Sequence, residues 1–124
     1  MTLLSYDSTF EGFLTAVFEI FEFKYPNPTI IKKAAVQQHL FVIPVEIITD
    51  FEKSDRVIKK LKIQLGADGV RSLIYAFLSE QLGVEDILFN VINYAVKNKN
   101  RNVMKDSSND CVLQISKLTK SVGR

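Results

Sequence analysis

Five polar residues are the candidates for chemistry in this sequence: Asp7, Ser8, Thr9, Asp50 and Arg56. All but Arg56 stand where a predicted strand leads into a predicted helix. The first backbone N–H groups of a helix have no intrahelical partner and can bind an anion. The same residue types also cap helices. The pattern therefore fits either a binding site or ordinary helix capping.

The chain lacks the residue sets from which most catalytic and metal sites are built. Cys111 is the only cysteine and His39 the only histidine, which excludes an internal disulfide and any metal or iron–sulfur site made of several His or Cys ligands. No phosphate-binding glycine loop, dinucleotide fingerprint or nucleophile elbow occurs. The sequence assigns no catalytic residue, no metal site and no cofactor, and leaves open whether the chain is an enzyme.

Basic residues concentrate in two places. One is the helix predicted after residue 49, and the other is the stretch 97–124, which holds seven basic and two acidic residues. Such residues decorate solvated surfaces in many proteins, and they also neutralise phosphates in nucleic-acid complexes. Both interpretations stay open. The candidates for contact with DNA are Lys53, Arg56, Lys59, Lys60, Lys97, Lys99 and Arg101.

Length and composition are those of an ordinary soluble protein. The chain has 124 residues, of which 47% are hydrophobic and 24% charged, enough for one domain with its own core. The net charge of +2 gives no strong expectation about partners. The first residues do not have the pattern of a signal peptide, so we expect none, and no apolar run approaches the roughly 20 residues that span a bilayer. With a single thiol, we expect a cytoplasmic protein without membrane contact.

Hydrophobic periodicity predicts a mostly helical α+β domain over residues 1–124. Two short strands are expected near residues 3–6 and 45–49, together with about five helices. An aromatic stripe predicts the first helix over about 10–23, whereas 30–41 fits either a helix or an extended segment. The other helices are expected over roughly 49–65, 68–82, 84–95 and 111–122.

Local signals mark where the first helices begin. Thr49 and Glu52 have the spacing of a capping box with Thr49 as the N-cap, and Asp7 belongs to a cluster of capping residues before the first helix. We interpret Asp7 and Thr49 as caps. Gly12 lies in the first turn of a helix, where glycine costs about 1 kcal/mol against alanine. That cost indicates close approach of another backbone or a ligand.

The stretch from Tyr6 to Leu14 resembles the opening motif of a bacterial family of DNA metabolism or repair proteins, with Ser8 where family members have glycine. Three later stretches resemble the same family in the same order: Thr49-Asp50 with Arg56-Val57, then Ala76 to Glu80, and finally Val112 to Val122. The residues matched to the family motif are Tyr6, Asp7, Phe10, Glu11, Gly12, Thr49, Asp50 and Arg56.

The resemblance implies an accessory protein of DNA metabolism or repair that binds DNA, a radical S-adenosylmethionine (radical SAM) partner enzyme, or both. Some similar domains are fused to a uracil-DNA-glycosylase-like domain. Family members continue beyond the position of Val122, so the resemblance implies the N-terminal part of a larger protein, and we expect the fragment to self-associate. Two alternatives stay open. One is a glycosylase- or nuclease-like enzyme with catalytic residues beyond residue 124, and the other is a protein-interaction domain without DNA contact.

Overall fold

A computed structural model of the protein describes residues 2–34, 43–79 and 83–97. Within these ranges the chain forms three strands and three helices. Its internal contacts divide it into two compact units, Met1–Val57 and Ile58–Arg124. The elements are β1 (Thr2–Tyr6), α1 (Phe10–Phe23), β2 (Pro28–Lys32), β3 (Val45–Glu46), α2 (Phe51–Leu78) and α3 (Val84–Lys97).

The predicted set of about five helices and two strands is wrong, because the described residues hold three helices and three strands. The helix predicted over 10–23 is confirmed as α1. Of two other predicted helices, 49–65 and 68–82, residues 51–65 and 68–78 lie in α2 on either side of a kink at Gly66, whereas residues 80–82 lie outside the described residues. The helix predicted over 111–122 lies outside the described residues. The expectation of one domain that continues into a larger protein stays a prediction.

The three strands form one parallel sheet in the order β2-β1-β3. β1 pairs with β2 along its whole length, whereas only Leu4 and Ser5 of β1 face Val45 and Glu46 of β3. Parallel neighbours need a crossover connection, and α1 supplies it between β1 and β2. Residues 3–6 of β1 are all buried. Successive strand residues point to opposite faces, so both faces of the central strand are covered.

The strand β2 was not predicted from the sequence. Its second half, residues 30–32, belongs to the segment that fits either a helix or an extended conformation. The run Thr29-Ile30-Ile31 is β-branched and favours an extended backbone, and Pro28 stands at the first position of the strand, where proline is tolerated. Pairing with β1 fixes residues 28–32 in the extended conformation. That contact is distant in sequence, so the local periodicity that supports a helix does not reveal it.

The helix α1 lies against β1 and β2 and buries the middle of its predicted apolar stripe. Phe13, Leu14 and Val17 are buried, whereas Phe21, at the end of the stripe, is 36% exposed. Lys24 ends the helix in the left-handed conformation, with φ of 53°. The stripe is therefore core over the first turns of α1 and reaches solvent in its last turn.

The second unit contains α2 beyond Val57 together with α3. Gly66 interrupts α2 with φ of 74° and ψ of 171°, a conformation that essentially only glycine adopts. The end predicted for a helix at Leu65 coincides with this kink. None of the helices in the described residues is long and apolar enough to cross a bilayer. Among the described residues of this unit, the buried apolar side chains are Leu61, Leu65, Val70, Leu73, Ala76, Phe77, Val84, Leu88, Val91, Ile92 and Ala95.

Candidate functional site

Four of the five predicted polar residues, Asp7, Ser8, Thr9 and Asp50, lie at one edge of the sheet, whereas Arg56 lies further along in α2. Asp7 follows β1, while Thr49 and Asp50 follow β3. Parallel strands end at the same edge, and β2 and β3 lie on opposite sides of β1. Open α/β sheets form their binding crevices at the carboxyl ends of strands where the strand order diverges in this way. This edge is therefore the candidate site.

Asp7 is the centre of a hydrogen-bonded cluster at this edge. Its Oδ1 accepts from the backbone N of Thr9 at 3.0 Å and from Thr9 Oγ1 at 2.6 Å. Its Oδ2 accepts from Thr49 Oγ1 at 2.6 Å. Thr9 Oγ1 in turn accepts from the backbone N of Gly12 at 3.0 Å. We call Asp7, Thr9, Gly12 and Thr49 the Asp7 cluster; it joins the segment after β1, the start of α1 and the segment after β3.

The hydrogen bonds from Thr49 and Thr9 hold the pKa of Asp7 below its ordinary value, and they outweigh a small opposing effect of burial. Asp7 is therefore a carboxylate at neutral pH. A general base works best when its pKa lies near the operating pH. Asp7 is far from that condition, and its oxygens already accept three hydrogen bonds. The geometry makes Asp7 a residue that fixes the backbone around it.

The cap assignments made from the sequence are wrong at both helices. Thr9, not Asp7, is the N-cap of α1, because Thr9 Oγ1 accepts from the third helical N–H. Asp50, not Thr49, caps α2: Asp50 Oδ1 accepts from the backbone N of Glu52 at 3.0 Å and of Lys53 at 3.3 Å. The Thr49 hydroxyl is bonded to Asp7 instead. Adjacent Thr and Asp are both good N-caps, and the tertiary contact to Asp7 decides between them.

Gly12 is closely approached, but by side-chain oxygens and not by another backbone or a ligand, the two alternatives predicted from the sequence. A Cβ at Gly12 would overlap Asp7 Oδ1 and would lie 3.0 Å from the hydroxyl oxygens of Thr9 and Thr49. The Asp7 cluster therefore requires the absence of a side chain at residue 12. Ser8, between Asp7 and Thr9, has φ of 73°, which disfavours a residue with a Cβ.

Thr15, for which the sequence pattern predicts no role, connects α1 to the start of α2 through hydrogen bonds. Thr15 is fully buried. Its Oγ1 accepts from the backbone N of Asp50 at 3.1 Å and lies 2.8 Å from the carbonyl oxygen of Glu11, to which it donates. Its one polar atom on a buried helix face is the signal that could have identified it, since buried hydroxyls are almost always bonded.

Three residues on β1 and α1 that the sequence analysis singled out, Tyr6, Phe10 and Glu11, support the local structure. Tyr6 is buried and meets Phe13 edge to face, with ring centroids 6.0 Å apart. Phe10 stacks on the same ring at 6.4 Å. Glu11 lies in the first turn of α1, where a carboxylate suits the helix dipole. These contacts support the helix start on which Gly12 stands.

An open groove of about 460 Å³ adjoins the Asp7 cluster within the first unit. Its charged lining residues are Glu19 of α1, Glu46 of β3, and Asp50 and Lys53 at the start of α2. Its apolar lining residues, Ile48 and Phe51, are 80% and 71% exposed. The groove combines three carboxylates, one ammonium group and two solvent-facing apolar side chains. No motif in the sequence indicates it.

The predicted DNA-contacting residues are distributed over both units. In the first unit, Lys53 lies over the ring of Phe18, 5.7 Å from its centroid, and Arg56 pairs with Glu52 at 3.3 Å. In the second unit, residues 59 and 60 of α2 and residue 97 of α3 are exposed lysines. The other two candidates, Lys99 and Arg101, lie outside the described residues.

Replacing Asp7 by asparagine should change how stability depends on pH. Because the folded-state pKa of Asp7 is lowered, its contribution is fully present above the unfolded-state pKa of about 3.9 and is lost as the pH falls through the folded-state value. We therefore expect Asp7→Asn to lower the urea midpoint at pH 7, with a difference from the parent protein that shrinks below about pH 4. A difference that stays constant down to the acid transition would contradict the hydrogen-bonded carboxylate.

The residues that the structure describes include no group of three or more His, Cys, Asp or Glu side chains placed to hold a metal ion. The candidate site is thus a hydrogen-bonded cluster with an adjoining groove. Neither a family model nor a curated protein nor a solved structure matches this chain.

Proposed function

We propose that this protein is a cytoplasmic accessory factor of DNA metabolism or repair that contacts DNA phosphates through basic residues of α2 and works with a radical SAM enzyme. The observation that carries the DNA contact is the exposure of Arg56, Lys59 and Lys60 on one helix. Their spacing of three and four residues is that of neighbouring positions on a helix surface. Exposed Lys and Arg side chains contribute sequence-independent affinity for DNA by releasing counterions.

The resemblance to the DNA metabolism and repair family supports the same proposal through its opening motif. That motif has glycine at the position of Ser8, and φ of 73° at Ser8 is a conformation that glycine adopts without cost. Gly12, the other glycine of the motif, stands where a Cβ would overlap Asp7. The backbone at residue 8 and the packing at residue 12 therefore both favour glycine, the residue that the motif has at these two positions.

Removing two charges from α2 should weaken DNA binding in a salt-dependent way. We expect the double variant Lys59→Gln/Lys60→Gln to reduce the slope of log affinity against log salt by up to about 2. Fluorescence anisotropy with a labelled duplex, titrated at several salt concentrations, measures this slope. The loss should be similar for duplexes of unrelated sequence, because phosphates are common to all of them.

A matched control removes two other exposed charges, at residues 24 and 71. In Lys24→Asn/Arg71→Gln, asparagine suits the left-handed backbone at residue 24, and Arg71 pairs with the exposed Asp68. This control should keep the parent slope. Equal losses in the two double variants would show that binding reflects net charge alone. Absence of DNA binding by the parent protein at low salt would overturn the proposed contact.

A further inference from the structure

The groove beside the Asp7 cluster presents two apolar side chains to solvent within four residues of chain. Ile48 is 80% exposed and Phe51 is 71% exposed, and both line the groove. Single exposed apolar residues are ordinary on protein surfaces, but side chains of this size that share a concave surface are typical of binding sites. Burying them against a partner would remove apolar surface from water.

The charges of the groove indicate whether the partner should be positively or negatively charged. Three carboxylates line it, from Glu19, Glu46 and Asp50, against the single ammonium group of Lys53. Glu46 pairs with Lys33 at 3.0 Å across an exposed surface, where such a pair is weak. Among the described residues no ion pair engages Glu19. A cationic partner is therefore attracted, and a phosphate backbone is repelled.

The start of α2 is held in place before any partner arrives. The backbone N of Asp50 donates to the buried Thr15 hydroxyl, and Asp50 Oδ1 caps α2. The hydroxyl of the neighbouring Thr49 donates a hydrogen bond to Asp7 Oδ2. Because the start of α2 is already fixed, this side of the groove loses little conformational entropy when a partner binds. The groove also lies at the carboxyl end of β3, and open parallel sheets place their binding crevices at the carboxyl ends of strands.

We propose that the groove is a docking site for a basic segment of a partner protein, which places an apolar anchor residue between Ile48 and Phe51 and its lysine or arginine side chains against Glu19 and Glu46. This inference goes beyond the proposed DNA contact and does not depend on it. The exposure of both apolar residues fits a protein segment better than a small ligand, whose pocket encloses most of its surface.

The test uses the intact chain and a fluorescent lysine-rich peptide with a central Leu-Phe pair. We expect saturable binding that weakens about tenfold in Ile48→Ser and in Glu19→Lys. Two matched controls should stay within about twofold of the parent protein. Ile63→Ser removes an equally exposed apolar side chain (86%) that is not a groove residue, and Glu22→Lys reverses an exposed charge on α1 outside the groove.

Two comparison peptides and one physical measurement complete the test. A peptide with glutamate in place of each lysine, and one with serine in place of the Leu-Phe pair, should each bind at least tenfold more weakly. Equal binding of all three peptides, or equal losses in groove and control variants, would overturn the proposal. So would light scattering that shows a dimer dissociated by Ile48→Ser, since a second copy would then occupy the groove. DNA affinity measured on Glu19→Lys should not fall, which separates this site from the proposed DNA contact.

Discussion

Replacing Gly12 by alanine should lower the free energy of unfolding by about 2 kcal/mol. In an ordinary helix the same change raises stability by about 1 kcal/mol. Here the added Cβ would overlap Asp7 Oδ1 and crowd the hydroxyl groups of Thr9 and Thr49. The carboxylate must then move and give up the hydrogen bonds that it accepts. Urea denaturation followed by circular dichroism measures the change.

A double-mutant cycle separates this steric effect from a general intolerance of residue 12. In an Asp7→Ala background the overlapping oxygen is gone, so Gly12→Ala should cost much less than it does in the parent protein. A coupling free energy of about 1 kcal/mol or more between the two substitutions is expected for residues in direct contact. Additive effects, or stabilisation by Gly12→Ala alone, would show that the Asp7 cluster does not constrain this position.

Replacing Thr15 by valine should lower the free energy of unfolding by about 1–3 kcal/mol. Valine keeps the shape of threonine but removes the oxygen that accepts from the backbone N of Asp50. Since Thr15 is fully buried, water cannot readily replace the lost partner. Hydrogen exchange of the Asp50 amide should become faster in the same variant. Thermal or urea unfolding gives the overall change.

The serine variant is the matched control for Thr15. Thr15→Ser keeps the hydroxyl and removes only a methyl group, so its cost should be limited to packing, roughly 1 kcal/mol. Protection of the Asp50 amide should be retained. If serine and valine destabilise the protein equally, and neither changes the exchange of that amide, the hydrogen bond between α1 and the start of α2 is not what makes Thr15 important.

Local patterns predicted the parts of this fold that depend on neighbouring residues. The apolar stripe of α1 is visible in the sequence because it repeats with the period of a helix, and Gly12 is visible because glycine is unfavourable inside a helix. The strand β2 is not visible, because its pairing with β1 overrides an ambiguous local preference. The assignment of the α2 cap to Thr49 is wrong for a similar reason, since the contact with Asp7 comes from a distant segment.

Several residues of the candidate site could be predicted from the sequence, but the roles of these residues could not. Asp7, Thr9 and Asp50 were identified as polar residues at the junctions of strands and helices, and the structure brings their segments together. Which oxygen caps which helix depends on tertiary hydrogen bonds that spacing does not encode. Thr15 and the groove beside Asp50 were missed, because a buried hydroxyl and a concave surface are properties of the folded chain.

The order in which the strands pair has a kinetic consequence for the Asp7 cluster. β1 and β2 are joined through α1, whereas β3 must return to β1 from a more distant part of the chain. Closing the longer loop costs more entropy, so we expect β1, α1 and β2 to assemble first and β3 to dock later. Contacts made by the segment after β3 would then be absent from the folding nucleus. Weakening the bond from Thr49 to Asp7 should therefore shorten the lifetime of the native state more than it slows its formation.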